Sequence, residues 1–214
     1  MRRLVIVRDF LGQGSAGHGS YEEDGNVFAK CVGLAEERNG MHVVIPLTGI
    51  YNPKKGDGII GKIQDVVFTR LIVDINAPYQ GTLSLSEAVE EFIDLTKTDL
   101  SQYFNYGDMI FTEIMTVTQA KSVQLTMKSR TCRKLKGGRL IKVTPAKVPR
   151  IIGTKGSMVE MIKELTGTQI VVGQNGLVWI KGEKEALAAE AILQIEKKSH
   201  VSGLTDQIKE MLSS

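Results

Sequence analysis

The sequence predicts a multidomain chain: a β-rich N-terminal domain, a five-stranded barrel and a C-terminal α+β domain. Three observations predict this. Short β-type runs separated by glycines fill residues 1–55. Five alternating strands interrupted by one helical stretch fill residues 56–131. Residues 132–214 then run strand, helix, glycine loop, helix, strand, strand, helix. With 214 residues there is room for two or three small domains, and 42% hydrophobic content supports packed cores.

In the N-terminal domain, Val27–Val32 and Met41–Leu47 are the clearest strands. Between them and the N-terminus lies Gly12-Gln13-Gly14-Ser15-Ala16-Gly17, formally G-x-G-x-x-G. A dinucleotide site would need a packed helix there and a βαβ unit around it. His18-Gly19-Ser20-Tyr21 and an acidic turn follow instead, so the stretch is expected to be a loop.

From Gly56 onward, Ile59–Val66 and Phe68–Ile75 read as strands, with Gly61 permitting a strong bend. Thr82–Glu87 leads into a short helix, Ser86 as its cap and Val89, Phe92, Ile93 and Leu95 facing inward. Tyr106–Ile114 and Val123–Met127 complete five strands. Five strands with a helix between the third and fourth describe an OB-fold barrel, a common single-stranded nucleic-acid binder.

In the last domain, Leu140–Thr144 alternates as a strand, Val148–Ile152 suits a short helix with Pro149 in its first turn, and Met158, Ile162 and Leu165 share a helical face that Gly167 ends. Ile170–Val172 and Leu177–Ile180 flank the turn Gly173-Gln174-Asn175-Gly176, and Glu183–Lys198 forms a last helix. Gly153-Thr154-Lys155-Gly156 joins the first two helices. Two glycines at a helix start let backbone N–H groups face an anion, and G-x-x-G loops clamp about four backbone nucleotides in KH domains. The element order matches the eukaryotic-type (type I) KH fold.

Charge points the same way. The net charge is only +3, yet Ile114–Val159 holds eleven Lys or Arg residues and no acid. The remaining 16 basic residues are outnumbered by 24 acidic ones. The cations precede and enter the glycine loop, as a phosphate backbone would require. Lys147, Arg150, Gly153, Thr154, Lys155 and Gly156 are therefore candidate RNA ligands. An acidic protein surface or a solvated linker would also use such a patch.

No enzyme constellation is evident. His18, His42 and His200 are scattered, and no nucleophile elbow or P-loop occurs. Asp74 lies in an apolar strand and reads as structural. Cys31 and Cys132 are far apart without metal spacing, which suits reduced thiols in a cytoplasmic protein. No apolar run reaches membrane-spanning length. No cofactor or metal is expected.

Gly56-Asp57, Gly61-Lys62-Ile63, Val73-Asp74-Ile75, Leu85-Ser86-Glu87, Gly107-Asp108 and Leu125-Thr126-Met127-Lys128 resemble the RNA-binding OB fold of the ribosomal-protein-S-one type. That barrel between a short β-rich domain and a KH domain is similar to archaeal exosome RNA-binding cap subunits related to ribosomal-RNA-processing protein four. Asp74–Tyr79, Lys147–Gly153 and the G-x-N-G of Gly173–Gly176 carry the match. The resemblance implies a non-catalytic cap, three copies seated on a hexameric ring of RNase PH-like subunits. It implies that the cap binds single-stranded RNA at the pore and feeds it to 3′-to-5′ degradation and processing. It further implies that the N-terminal domain makes most ring contacts and that the G-x-N-G is buried and structural. Barrels of this type often read RNA with an aromatic pair and a histidine. Here Phe68 takes one aromatic place and Ser84 stands at the histidine place. Contact is therefore expected to be mostly phosphate-directed, through Arg70, Lys121, Lys128 and Arg130. The alternatives are a free-standing single-stranded RNA-binding regulator and a protein scaffold with an idle KH loop.

Overall fold

The computed structural model describes residues 3–67, 69–88, 103–198 and 204–213. The chain divides into two compact units, Met1–Gly49 and Ile50–Ser214.

The first unit is all β. Strands β1 (Arg3–Val5), β6 (Gly33–Arg38), β7 (Met41–Pro46) and β3 (Ser15–Ala16) form one sheet in that order. Strands β2 (Phe10–Gln13), β5 (Asn26–Ala29) and β4 (Ser20–Glu23) form another. Its core is small: Val5, Ala29, Ala35 and Val44, with Leu11 and Cys31 against them. The stretch Gly12–Gly17, expected as a loop, instead contributes Gly12-Gln13 to the end of β2 and Ser15-Ala16 as β3. Its glycines allow close approach to β7: a Cβ at Gly12 would lie 2.7 Å from the His42 ring.

The second unit contains the barrel and the α+β domain. Strands β8 (Gly58–Val67), β9 (Arg70–Asp74), β10 (Gln80–Ser84), β11 (Met109–Val117) and β12 (Val123–Thr126) run in the order β12-β10-β9-β8-β11. Pairing of β12 with β11 closes the barrel, and β10 lies parallel to β12. Alternate residues point inward, so Ile63, Leu71, Val73, Leu83, Ile114 and Leu125 are almost completely buried. The helix α1 (Leu85–Ala88) starts at Leu85, which puts Ser86 inside its first turn rather than at its cap. The expected apolar face Val89, Phe92, Ile93 and Leu95 lies outside the described residues, as does Phe68. Strand β13 (Arg133–Leu135) pairs with the first half of β11 and extends the barrel sheet.

The α+β domain follows as β14 (Arg139–Lys142), α2 (Val148–Ile152), α3 (Ser157–Thr166), β15 (Gln169–Val172), β16 (Leu177–Lys181), α4 (Glu185–Lys197) and α5 (Leu204–Ser213). Its sheet is antiparallel, ordered β14-β16-β15. One face holds Ile170, Val178 and Ile180 against the helices, where Val148, Ile151, Ile162, Ile192 and Ile195 are buried. The other face sets Leu177 and Trp179 against Ile60 and Leu135 of the barrel sheet. This explains the unbroken apolar run Leu177–Ile180: β16 is buried on both sides, so no alternation survives.

The Gly173–Gly176 turn fastens the two halves of this unit. Asn175 is fully buried. Its Nδ2 donates to the carbonyls of Ile60 (2.7 Å) and Ile75 (2.8 Å), and its Oδ1 accepts the Ile60 N–H at 3.3 Å. Its carbonyl accepts Asn76 Nδ2 at 2.8 Å, and Gln174 N–H donates to Gly58 O at 2.9 Å. A Cβ on Gly173 would stand 2.4 Å from Asn175 Oδ1, so only glycine lets the loop close this tightly.

Asn175→Ala leaves an Ile60 N–H and two carbonyls without their partner. It should cost about 3 kcal/mol or more, read as a lower urea midpoint for the full chain. Asn175→Asp should be no better, because a carboxylate there would face two carbonyl oxygens.

Candidate nucleic-acid interface

Helix α2 ends at Ile152, and α3 begins at Ser157. Between them Gly153 has φ 76° and Gly156 φ 87°, both in the region that side chains resist. A Cβ on Gly153 would lie 2.8 Å from both Met158 N and Met158 Cβ, so this glycine is required by space as well as by φ. A Cβ at Gly156 would meet only ordinary contact, so its requirement is conformational alone. Lys155 also adopts a left-handed conformation, φ 54° and ψ 29°. A non-glycine residue held there costs on the order of 1 kcal/mol, a cost tolerated at functional loops. The result is an exposed tip, Thr154-Lys155, at the N-terminal end of a ten-residue helix.

The neighbouring cations belong to the same ridge. Arg150 is exposed in the last turn of α2, and Lys147 is half-buried in the 3-10 turn Pro145–Lys147 that leads into it. One acid intrudes: Glu160, in the first turn of α3, lies 3.9 Å from the site of a Gly156 Cβ. It tempers the field at the loop without filling it.

On the barrel the candidates divide. Arg70 begins β9 opposite Ser84, and β10 runs beside β12, so Arg70 and Lys128 belong to neighbouring strand ends. Lys121 sits in the β11–β12 turn at the opposite end of β12, in a left-handed conformation (φ 62°). Arg70, Lys121, Lys128 and Arg130 are all exposed. Lys128, however, is partly neutralised: its Nζ donates to Glu87 Oε1 at 2.7 Å, while Thr126 Oγ1 donates to Glu87 Oε2 at 2.6 Å. The hydrogen bonds from Lys128 and Thr126 hold the Glu87 carboxyl below its ordinary range, against the opposing effect of burial. Lys134 is likewise ion-paired with Asp108. Sequence reading missed both pairings. Glu87 and Lys128 are 41 residues apart, and no local spacing signals such a pair.

Asp74 accepts the Asn76 N–H at 2.9 Å and so shapes the loop that meets Asn175. Both cysteines are free, and burial raises each thiol's pKa, opposed by Lys30 at Cys31 and reinforced by Glu113 at Cys132. Neither matches the electropositive setting of an activated thiolate. Among the described residues no three His, Cys, Asp or Glu side chains are grouped to hold a metal, and no helix is long and apolar enough to cross a membrane.

Residues 138–186 match a family model described as a KH domain. Over the whole chain, the exosome complex component Rrp4 of Thermococcus kodakarensis is 47% identical, the match covering 86% of that protein. The chain belongs to the Rrp4 family of exosome components. The Rrp4 of Pyrococcus abyssi is 44% identical over 100% of this chain and 83% of its own length. A crystal structure provisionally described as an exosome complex RNA-binding protein superposes with a TM-score of 0.69 at 32% identity, covering 77% of this chain and 95% of that one. In this Rrp4-family chain the barrel and the KH domain therefore occur as the sequence predicts.

Two outcomes test the loop and the barrel end. Gly153→Ala should lower stability by about 1–3 kcal/mol through the Met158 clash, measured by denaturant unfolding. Glu87 is depressed in the folded state, so its contribution is complete above the ordinary glutamate pKa of 4.5 and is lost as pH falls through the lower folded value. Glu87→Gln should accordingly flatten the acid limb of a stability-versus-pH curve, its deficit constant and largest above pH ~6 and shrinking as pH falls.

Proposed function

We propose that this chain is a non-catalytic, RNA-binding cap component of an exosome. In this reading it recruits single-stranded RNA and threads it into a ring of RNase PH-like subunits for 3′-to-5′ degradation and processing. The observation that carries the reading is the run of cations ending in an exposed Thr154-Lys155 tip between Gly153 and Gly156, within a chain of the Rrp4 family. The loop lies where a helix N-terminus, a lysine and a flanking arginine act on the same anion. Thr154, Lys155, Arg150 and Lys147 take the RNA backbone, with Gly153 and Gly156 shaping the clamp. Arg70, Lys121 and Arg130 add phosphate contacts along the barrel, and Lys128 a weaker one because Glu87 shares its charge.

Three copies per ring and a cytoplasmic setting complete the proposal. The N-terminal unit supports a protein contact: Leu4, Ile6, Val7 and Phe10 are each more than half exposed, an apolar surface of the kind that marks an interface. Catalysis is assigned to the ring subunits.

Fluorescence anisotropy with single-stranded RNA across a salt series tests the binding. Contact with about four phosphates gives a slope of log K against log salt near −3. Lys155→Glu should lower affinity about tenfold or more with unchanged unfolding, and an unaltered affinity would remove the loop from the mechanism. Purification from native cells should return RNase PH-like companions. A protein that emerges alone yet binds RNA favours the free-standing regulator.

A further inference from the structure

We propose that a second RNA subsite lies at the junction of barrel and KH domain, where one nucleotide stacks on Tyr106 and its phosphates meet Lys62, Lys134, Lys136 and Lys181. This deepens the RNA-binding reading and rests on it. A cleft of about 400 Å³ opens there, walled by Gly107, Asp108, Lys134, Lys136, Gly137 and Gly138. That volume falls within the range of small-ligand clefts.

Four lysines converge on this cleft from three segments distant in sequence. Lys134 and Lys136 line it directly. Lys62 Cε comes within 3.9 Å of where a Gly107 Cβ would be, and Lys181 Cε and Nζ within 4.0 Å of the same point at Gly137. Asp108 is the one acid in the wall. It is engaged by Lys134 and by the Asn105 N–H at 2.7 Å. Among the described residues that line the cleft, Lys134 and Lys136 outnumber Asp108. With Lys62 and Lys181 at its edge, four lysines stand against Asp108 and Asp74, the cross-strand neighbour of Lys62, a cationic balance that suits an anion. Gly107, Gly137 and Gly138 all have positive φ, and their missing side chains keep the cleft floor low. The linker is held in place by Trp179 Nε1, which donates to Gly137 O at 2.7 Å. A preformed, rigid floor reduces the ordering cost of binding.

Tyr106 is the reason for choosing a nucleic acid over another polyanion. It is 78% exposed, immediately before Gly107. An exposed aromatic residue next in sequence to the wall of a lysine-lined cleft offers the two elements that single-stranded nucleic-acid binders use, a ring for the base and cations for the backbone. The barrel's aromatic reading is thereby supplied from a place that no family motif of the sequence marked.

The test uses the full chain with fluorescein-labelled oligoadenylate and oligouridylate. Tyr106→Ala should weaken oligoadenylate binding about tenfold, the range expected for one lost stacking contact, and should narrow the gap between the two RNAs. The pair Lys136→Gln and Lys181→Gln should reduce the salt slope by about 1.4, two phosphates' worth. All three side chains are exposed, and thermal unfolding should be unchanged. Wild-type affinity and slope in both variants would overturn the subsite, as would loss of ring companions with RNA binding intact, since the cleft would then serve a protein. Lys155→Glu in the same assay separates the two readings. If it weakens binding while the cleft variants do not, the subsite fails alone. If the unmodified chain shows no salt-dependent binding, both fail.

Discussion

A carboxamide buried in an apolar interface must satisfy its hydrogen-bonding groups locally or lose more free energy than its burial returns. Asn175 meets that condition by bonding to the backbone of two barrel segments at once, Ile60 and Ile75. Its own carbonyl closes the circuit through Asn76. Removing any participant strands the others, so the contact works as a unit. The KH sheet is thereby fixed against the outside of the barrel, and Trp179 and Leu177 are given a surface to cover. What would otherwise be a solvated sheet face becomes a second core.

That rigid junction bears on binding. Cations on the KH ridge and on the barrel belong to one compact unit rather than to two tethered ones. A strand that engages both does so without the entropic cost of bringing two mobile domains together. The charges are not equivalent, however. Lys128 and Lys134 are each held by a carboxylate, while Lys155 stands on an exposed, conformationally costly tip. The strained residue and the exposed charge coincide at Lys155.

The barrel and KH domain were legible because their signals are local. Alternation marked β8 to β12, and glycines at 153, 156 and 167 punctuated the helices where left-handed φ is needed. The misreadings have local causes too. Gly12–Gly17 looked like a loop because glycine is rare in strands, yet these glycines are there so that β2 and β3 can pass close to His42 and Val43. Ser86 looked like a cap because serine usually is one, but the helix begins one residue earlier.

By itself the sequence determined the order of elements, the eleven-cation stretch and the glycine loop, since periodicity, composition and φ requirements are carried residue by residue. Tertiary structure alone decided which cations are tempered by carboxylates, that β16 is covered on both faces, and that Lys134 and Lys136 line a cleft whose edge Lys62 and Lys181 reach from two other segments. Those facts depend on contacts between residues far apart in the chain, whose free energy exists only once the backbone has brought them together.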